Sequence, residues 1–187
     1  MKAAQIQKVA VVGTGLMGHG IAQAFAQAGF QVNVTDASES ALAVVKDRIR
    51  SNLVTFVEGE LISQNEAAEI LARIHVFPNL GQAIREADFV TEAIYEDLEV
   101  KQSIFEEMDK HCSLDTILAS NTSSFRMTDL SSRMQNPERA IITHWFNPPH
   151  LVPLVEVVLG RNTSEETVTG KLFQKQSSVS RRGRVDN

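Results

Sequence analysis

Apolar and polar positions alternate between two periods along this chain. Residues 7–12 (QKVAVV) are a short β-branched run, followed by glycines and then LMGHGIAQAFAQAGF, where Leu16, Ile21, Ala24 and Phe25 recur at helical spacing until Gly29. Residues 31–35 (QVNVT) return to alternation and predict a second strand. One long helix is predicted over 38–57, opened by Ser38 as N-cap, and another over 65–73, capped by Asn65. Further strands are predicted at 74–77, 88–91, 116–119, 140–143 and 153–158, with helices at 79–86 and 97–111. In the last helix Leu98, Ile104, Phe105 and Met108 fall on one face. Strands alternating with helices predict an α/β fold: a Rossmann-type, doubly wound, mainly parallel sheet.

With 187 residues the chain is long enough for one domain with a sizeable core. Residues 1–170 are assigned to that domain. The segment 171–187 (KLFQKQSSVSRRGRVDN) has five basic residues, one acid and little apolar periodicity, and is expected to be a disordered tail. A net charge of −5 argues against a nucleic-acid or acidic membrane partner. No apolar run approaches the ~20 residues of a membrane span, and Cys112 alone cannot form an internal disulfide, so a soluble cytoplasmic protein is expected.

Gly13-Thr14-Gly15-Leu16-Met17-Gly18 is GxGxxG, placed directly after a strand and opening a helix. In that setting the first glycine permits the tight turn, the second lets backbone approach a pyrophosphate, and the third lets helix pack on strand. The second strand ends at Asp36, 18 residues beyond Gly18, where a carboxylate accepts from ribose hydroxyls and repels a 2′-phosphate. NAD is therefore expected over NADP; flavin nucleotides use a similar turn.

Two further segments carry candidate chemistry. Ser120, Asn121, Thr122, Ser123 and Ser124 crowd a strand end, where they either donate to a ligand or serve local turns and caps. In HWFNPPHLVPLVE, His144 and Glu156 bracket Pro148-Pro149. If that break turns the chain back, a second strand brings Glu156 beside His144, fixing the imidazole tautomer of a general base. The Asn147 amide would help to orient a ligand. His75, His111 and His150 show no metal-ligand spacing.

The segments VAVVGTGLMGHGIAQAFAQAGFQVNVTD, FVTEAIYEDLEVKQSIF, ILASNTSSF and HWFNPPHLVPLVEVV together resemble the NAD-binding domain of L-3-hydroxyacyl-CoA dehydrogenases, over about Val9 to Val158. The resemblance implies that Gly13, Thr14, Gly15, Leu16, Met17, Gly18 and Asp36 hold NAD, with Glu96, Lys101 and Asn147 as further cofactor contacts. It implies Ser123 as a contact to substrate and nicotinamide, His144 as catalytic base, and Glu156 as its carboxylate partner. The implied reaction is oxidation of a (3S)-3-hydroxyacyl-CoA to the 3-ketoacyl-CoA, in fatty acid β-oxidation or butanoate metabolism. The family adds a helical C-terminal domain that closes the cleft and builds the dimer; this sequence shows no such continuation, so a homo-oligomer or a separately supplied helical domain is the expected partner. Residues 51–66 (SNLVTFVEGELISQNE) carry Glu58, Glu60 and Glu66 and no lysine or arginine, where the family often has basic residues for CoA. Two alternatives therefore stand: an NAD-binding module without turnover, and a related dehydrogenase of a non-CoA substrate such as carnitine or gulonate.

Overall fold

The computed structural model describes residues 6–169 and 184–185. It contains an eight-stranded sheet in the order β3-β2-β1-β4-β5-β6-β7-β8. The strands are β1 (Lys8–Val12), β2 (Gln31–Thr35), β3 (Ile74–Val76), β4 (Phe89–Glu92), β5 (Ile117–Ser120), β6 (Ala140–Trp145), β7 (Val155–Leu159) and β8 (Arg184–Val185). β1 to β6 pair in parallel, β7 runs antiparallel to β6, and β8 pairs in parallel with β7. The order reverses at β1, where the chain leaves the β2–β3 side for β4, and such a switch point opens a ligand crevice at the carboxyl ends of the strands.

Alternation along the strands serves two cores. Val9 and Val11 face one side, with Ile21 and Phe25 of α1 (Gly18–Gln27) and Ile49 and Leu53 of α3 (Val45–Glu58). Ala10 and Val12 face the other, with Ile84 of α5 (Leu80–Ile84), Phe105 and Met108 of α6 (Leu98–His111), and Met127 of α7 (Met127–Leu130). Both faces of a parallel sheet must be covered, which is why the central strands read as nearly unbroken apolar runs. Cys112 sits in the second core; burial pushes its thiol up to about 12, so it is a packing residue.

Three features depart from the sequence expectation. The helix expected over 38–57 is two, α2 (Glu39–Ala43) and α3, broken at Val44 without a proline or glycine to mark it. The helix α4 (Gln64–Ala72) is capped by Ser63 rather than Asn65: Ser63 Oγ accepts from the Glu66 N–H, and the Glu66 carboxylate accepts from the Ser63 N–H. This reciprocal pair satisfies two end donors at once, which Asn65 inside the first turn could not do. Short 3-10 turns at Ser131–Arg133 and Pro137–Arg139 lead into β6.

A buried ion pair fastens that approach to α6. Arg139 donates to Asp109 Oδ1 at 2.6 Å and to the Asp109 carbonyl at 2.7 Å, and also to the Ser113 carbonyl. Asp109 accepts in addition from the backbone N–H groups of Gln135 and Asn136. A terminal helix α8 (Glu165–Thr169) follows β7. The expected tail lies outside the described residues except for Arg184–Val185, whose backbone forms β8 at the sheet edge. No described helix is long and apolar enough to cross a membrane.

Candidate functional site

The glycine turn joins β1 to α1 at the switch point. Gly13 has φ +96°, a left-handed conformation that a side chain rarely adopts, and a Cβ there would sit 2.7 Å from the Ala93 carbonyl oxygen. At Gly18 a Cβ would lie 1.8 Å from the Gly13 carbonyl oxygen, so the turn closes on itself only without one. Gly15 differs: nothing lies within 4 Å of the place its Cβ would occupy. The backbone is bare there and faces open space beside the start of α1, whose free N–H groups and partial positive charge suit a phosphate. The turn thus fits a dinucleotide pyrophosphate on its own geometry. Gly15→Ala is accordingly expected to fold with an unchanged melting temperature while raising the Kd for NADH, measured by quenching of NADH fluorescence; Gly18→Ala should disrupt folding itself.

Asp36, just beyond β2, is held by three donors. Its Oδ2 accepts from the Thr14 N–H at 2.6 Å and the Thr14 hydroxyl at 3.0 Å, and its Oδ1 from the Ser38 N–H at 2.8 Å. A carboxylate has about four acceptor positions, so capacity remains for a ribose hydroxyl. Thr14 itself is fully buried, and its side chain serves Asp36.

A cleft of about 440 Å3 opens beside the turn, lined by Gly15, Leu16 and Met17, by Ala93 to Glu96, and by Lys101, Asn121 and Ser123. Its floor holds charges. Lys101, on α6, is 1% exposed; its Nζ donates to Glu92 Oε1 at 2.6 Å and pairs with Glu96 Oε2 at 3.1 Å. Glu92, at the end of β4, is fully buried and also accepts from the Ser120 hydroxyl at 2.7 Å and the Ile94 N–H at 2.7 Å. Burial alone would raise the Glu96 carboxyl, but hydrogen bonds from Thr122 and Lys101 outweigh it and hold that group below its ordinary value. Glu92 carried no motif that sequence reasoning could single out, because its partners come from three different elements.

The hydroxyl cluster divides between the two roles open to it. Ser120 and Thr122 are turned inward, onto Glu92 and Glu96. Asn121 Oδ1 accepts from the Trp145 N–H at 2.9 Å, tying the end of β5 to the end of β6, and its residue also lines the cleft. Ser123 is exposed at the cleft wall.

His144 lies on β6, one residue before Trp145, and its register partner on β7 is Glu156. The side chains meet: His144 Nδ1 lies 3.0 Å from Glu156 Oε2. Directly opposed residues of an antiparallel pair carry their side chains on the same face, so the pairing follows from the register. The connecting chain turns at Pro148, whose carbonyl accepts from the N–H groups of Leu151 and Val152. Phe146 packs its ring 4.9 Å from the imidazole, whereas Trp145 points into the core against Phe25 at 5.3 Å. Asn147 is exposed at the end of the strand. His144, Glu156, Asp36 and Asn147 stand outside the walls of the cleft; Asn121 links His144's strand to it. Among the described residues no group of His, Cys, Asp and Glu is arranged to hold a metal ion.

Residues 8–179 match the family described as 3-hydroxyacyl-CoA dehydrogenase, NAD binding domain. A probable 3-hydroxybutyryl-CoA dehydrogenase of Bacillus subtilis (strain 168) is 38% identical over 163 residues, which is 87% of this chain and 56% of that protein. The chain thus spans about half the length of that curated relative. Among solved structures, 3-hydroxybutyryl-CoA dehydrogenase from Escherichia coli K12 superposes with a TM-score of 0.91 at 35% identity, covering 96% of this chain and 39% of that one. The (S)-3-hydroxybutyryl-CoA dehydrogenase from Ralstonia eutropha gives 0.91 at 32%, covering 98% and 65%. NAD is the cofactor of the matched domain, and the glycine turn fits it. The chain belongs to the NAD-binding domain family of the 3-hydroxyacyl-CoA dehydrogenases.

Proposed function

We propose that this chain carries the cofactor site and the acid–base pair for oxidation of a (3S)-3-hydroxyacyl-CoA to the 3-ketoacyl-CoA. The observation that supports it most is the His144–Glu156 pair, set by strand register on a strand that the cleft-lining Asn121 ties to β5. With Nδ1–H donating to Glu156, His144 presents its Nε2 lone pair outward, the tautomer a general base requires. The substrate hydroxyl proton passes to Nε2 as its C–H bond gives up a hydride, and the carbon–oxygen bond becomes the ketone. NAD, when bound, supplies the hydride acceptor at C4 of its nicotinamide. Glu156 stabilises the imidazolium that forms. Ser123, exposed at the cleft wall, donates to the substrate oxygen, and Lys101, Glu96 and Asn147 hold the cofactor's nicotinamide side. In reverse, the imidazolium protonates the ketone oxygen.

The test is NADH consumption by the purified chain with acetoacetyl-CoA. Consumption at a rate proportional to protein is the expected result. Retained NADH binding with no consumption would overturn the catalytic reading for this chain and leave an NAD-binding module.

A further inference from the structure

The charged triad on the cleft floor is unbalanced: two carboxylates, the buried Glu92 and the partly exposed Glu96, face one buried ammonium, Lys101, leaving one formal negative charge. Glu92 and Lys101 are withdrawn from water almost completely. Burying ions costs more than packing apolar groups of the same volume, so such a cluster is poorly explained as a stabilising brace. Glu92 also accepts from three donors, Lys101, Ser120 and the Ile94 N–H, which fix both of its oxygens in place. The Ile94 bond shapes the turn after β4, which forms one wall of the cleft.

β4 and β5 lie on the far side of the switch point from β2 and Asp36. If the adenosine half lies toward Asp36, the nicotinamide half lies over the ends of β4 and β5, above the triad. The two redox forms of the cofactor differ there by one charge: the nicotinamide ring is cationic when oxidised and neutral when reduced. We infer that Glu92 is a positioning residue that holds Lys101 and sets a net negative field on the cleft floor, biasing the site toward the oxidised cofactor. This rests on the reading that the cleft holds the nicotinamide half, and it is independent of which substrate is turned over. In a cleft open to water, at an effective dielectric between that of bulk water and that of a protein surface, one unit charge several ångströms from the ring is worth on the order of tenfold in relative affinity.

The test uses the full chain and two dissociation constants, for NAD+ and for NADH, measured by calorimetry for wild type, Glu92→Gln and Glu96→Gln. Contacts common to both cofactors cancel in the ratio of the two constants. Glu92→Gln should raise the NAD+ to NADH ratio of Kd values by about tenfold. Glu96→Gln, whose side chain is 39% exposed, should move it the same way by less. A ratio that stays fixed in a folded Glu92→Gln protein, while both constants rise together, would overturn the inference and leave Glu92 as a structural brace. Should Glu92→Gln fail to fold by circular dichroism, Glu96→Gln decides alone, and an unchanged ratio there sinks the inference. None of these outcomes depends on acyl-CoA turnover, so failure of the proposed reaction would be seen separately.

Discussion

Replacing His144 with alanine is expected to lower turnover of acetoacetyl-CoA by about 10²–10⁴-fold, the usual worth of a positioned general acid–base. The Kd for NADH should change little, because the imidazole is assigned to the substrate's proton and not to the cofactor. Glu156→Gln should cost less than His144→Ala. The imidazole remains, but the charge that supports its protonated form is gone and the Nδ1 partner becomes a neutral amide. Steady-state kcat with both variants, beside fluorescence binding of NADH, checks the ordering. An undiminished kcat in His144→Ala would remove His144 from the chemistry.

Arg139→Met is expected to produce a large loss of stability. The guanidinium and the Asp109 carboxylate are 5% and 3% exposed, so removing one partner leaves the other charge buried and unpaired. Breaking such a pair costs about 3–5 kcal/mol, which for a domain of this size corresponds to a fall in Tm of roughly 10 °C. The same site predicts an acid sensitivity. Burial pushes the Asp109 carboxyl up, but hydrogen bonds from Arg139, Gln135 and Asn136 outweigh it and hold the group below its ordinary value. A carboxyl lowered in the folded state contributes stability that is present above its unfolded value and is lost as pH falls through the folded one. Melting of Asp109→Asn against wild type at neutral pH and near pH 3 should therefore show a large gap at neutral pH that narrows in acid. A gap independent of pH would contradict the assignment.

Much of the fold was legible because its strongest signals are local. QKVAVV followed by GTGLMG states strand, turn and helix within a dozen residues, and Gly13 and Gly18 each occupy a place where a Cβ would clash, while Gly15 faces open space. The bracketing of Pro148-Pro149 by His144 and Glu156 was legible for a different reason: a chain that turns back between two short strands has few registers to choose from, and one of them pairs these residues. The capping box at Ser63 is also written in the sequence, as S-x-x-E, two residues before Asn65. The break at Val44 had no local mark. The Glu92 triad was invisible for a physical reason: it draws on β4, the loop after it, α6 and β5, and nothing in a linear reading says that those four converge. Buried charge is a property of the assembled sheet.

The antiparallel join of β6 and β7 separates two kinds of tolerance in this protein. Side chains alternate across a strand, so a slip of one residue in either strand would send Glu156 to the opposite side of the sheet from His144. The span from Phe146 to Leu154 carries no such parity, because its length is absorbed outside the ladder. That connection can thus be lengthened at its exposed positions, such as beside Leu151, with less penalty than its packed ones, Pro149 against Gly20 and His150 against Phe56, while a single inserted residue inside either strand would abolish the acid–base pair without altering any residue that belongs to it.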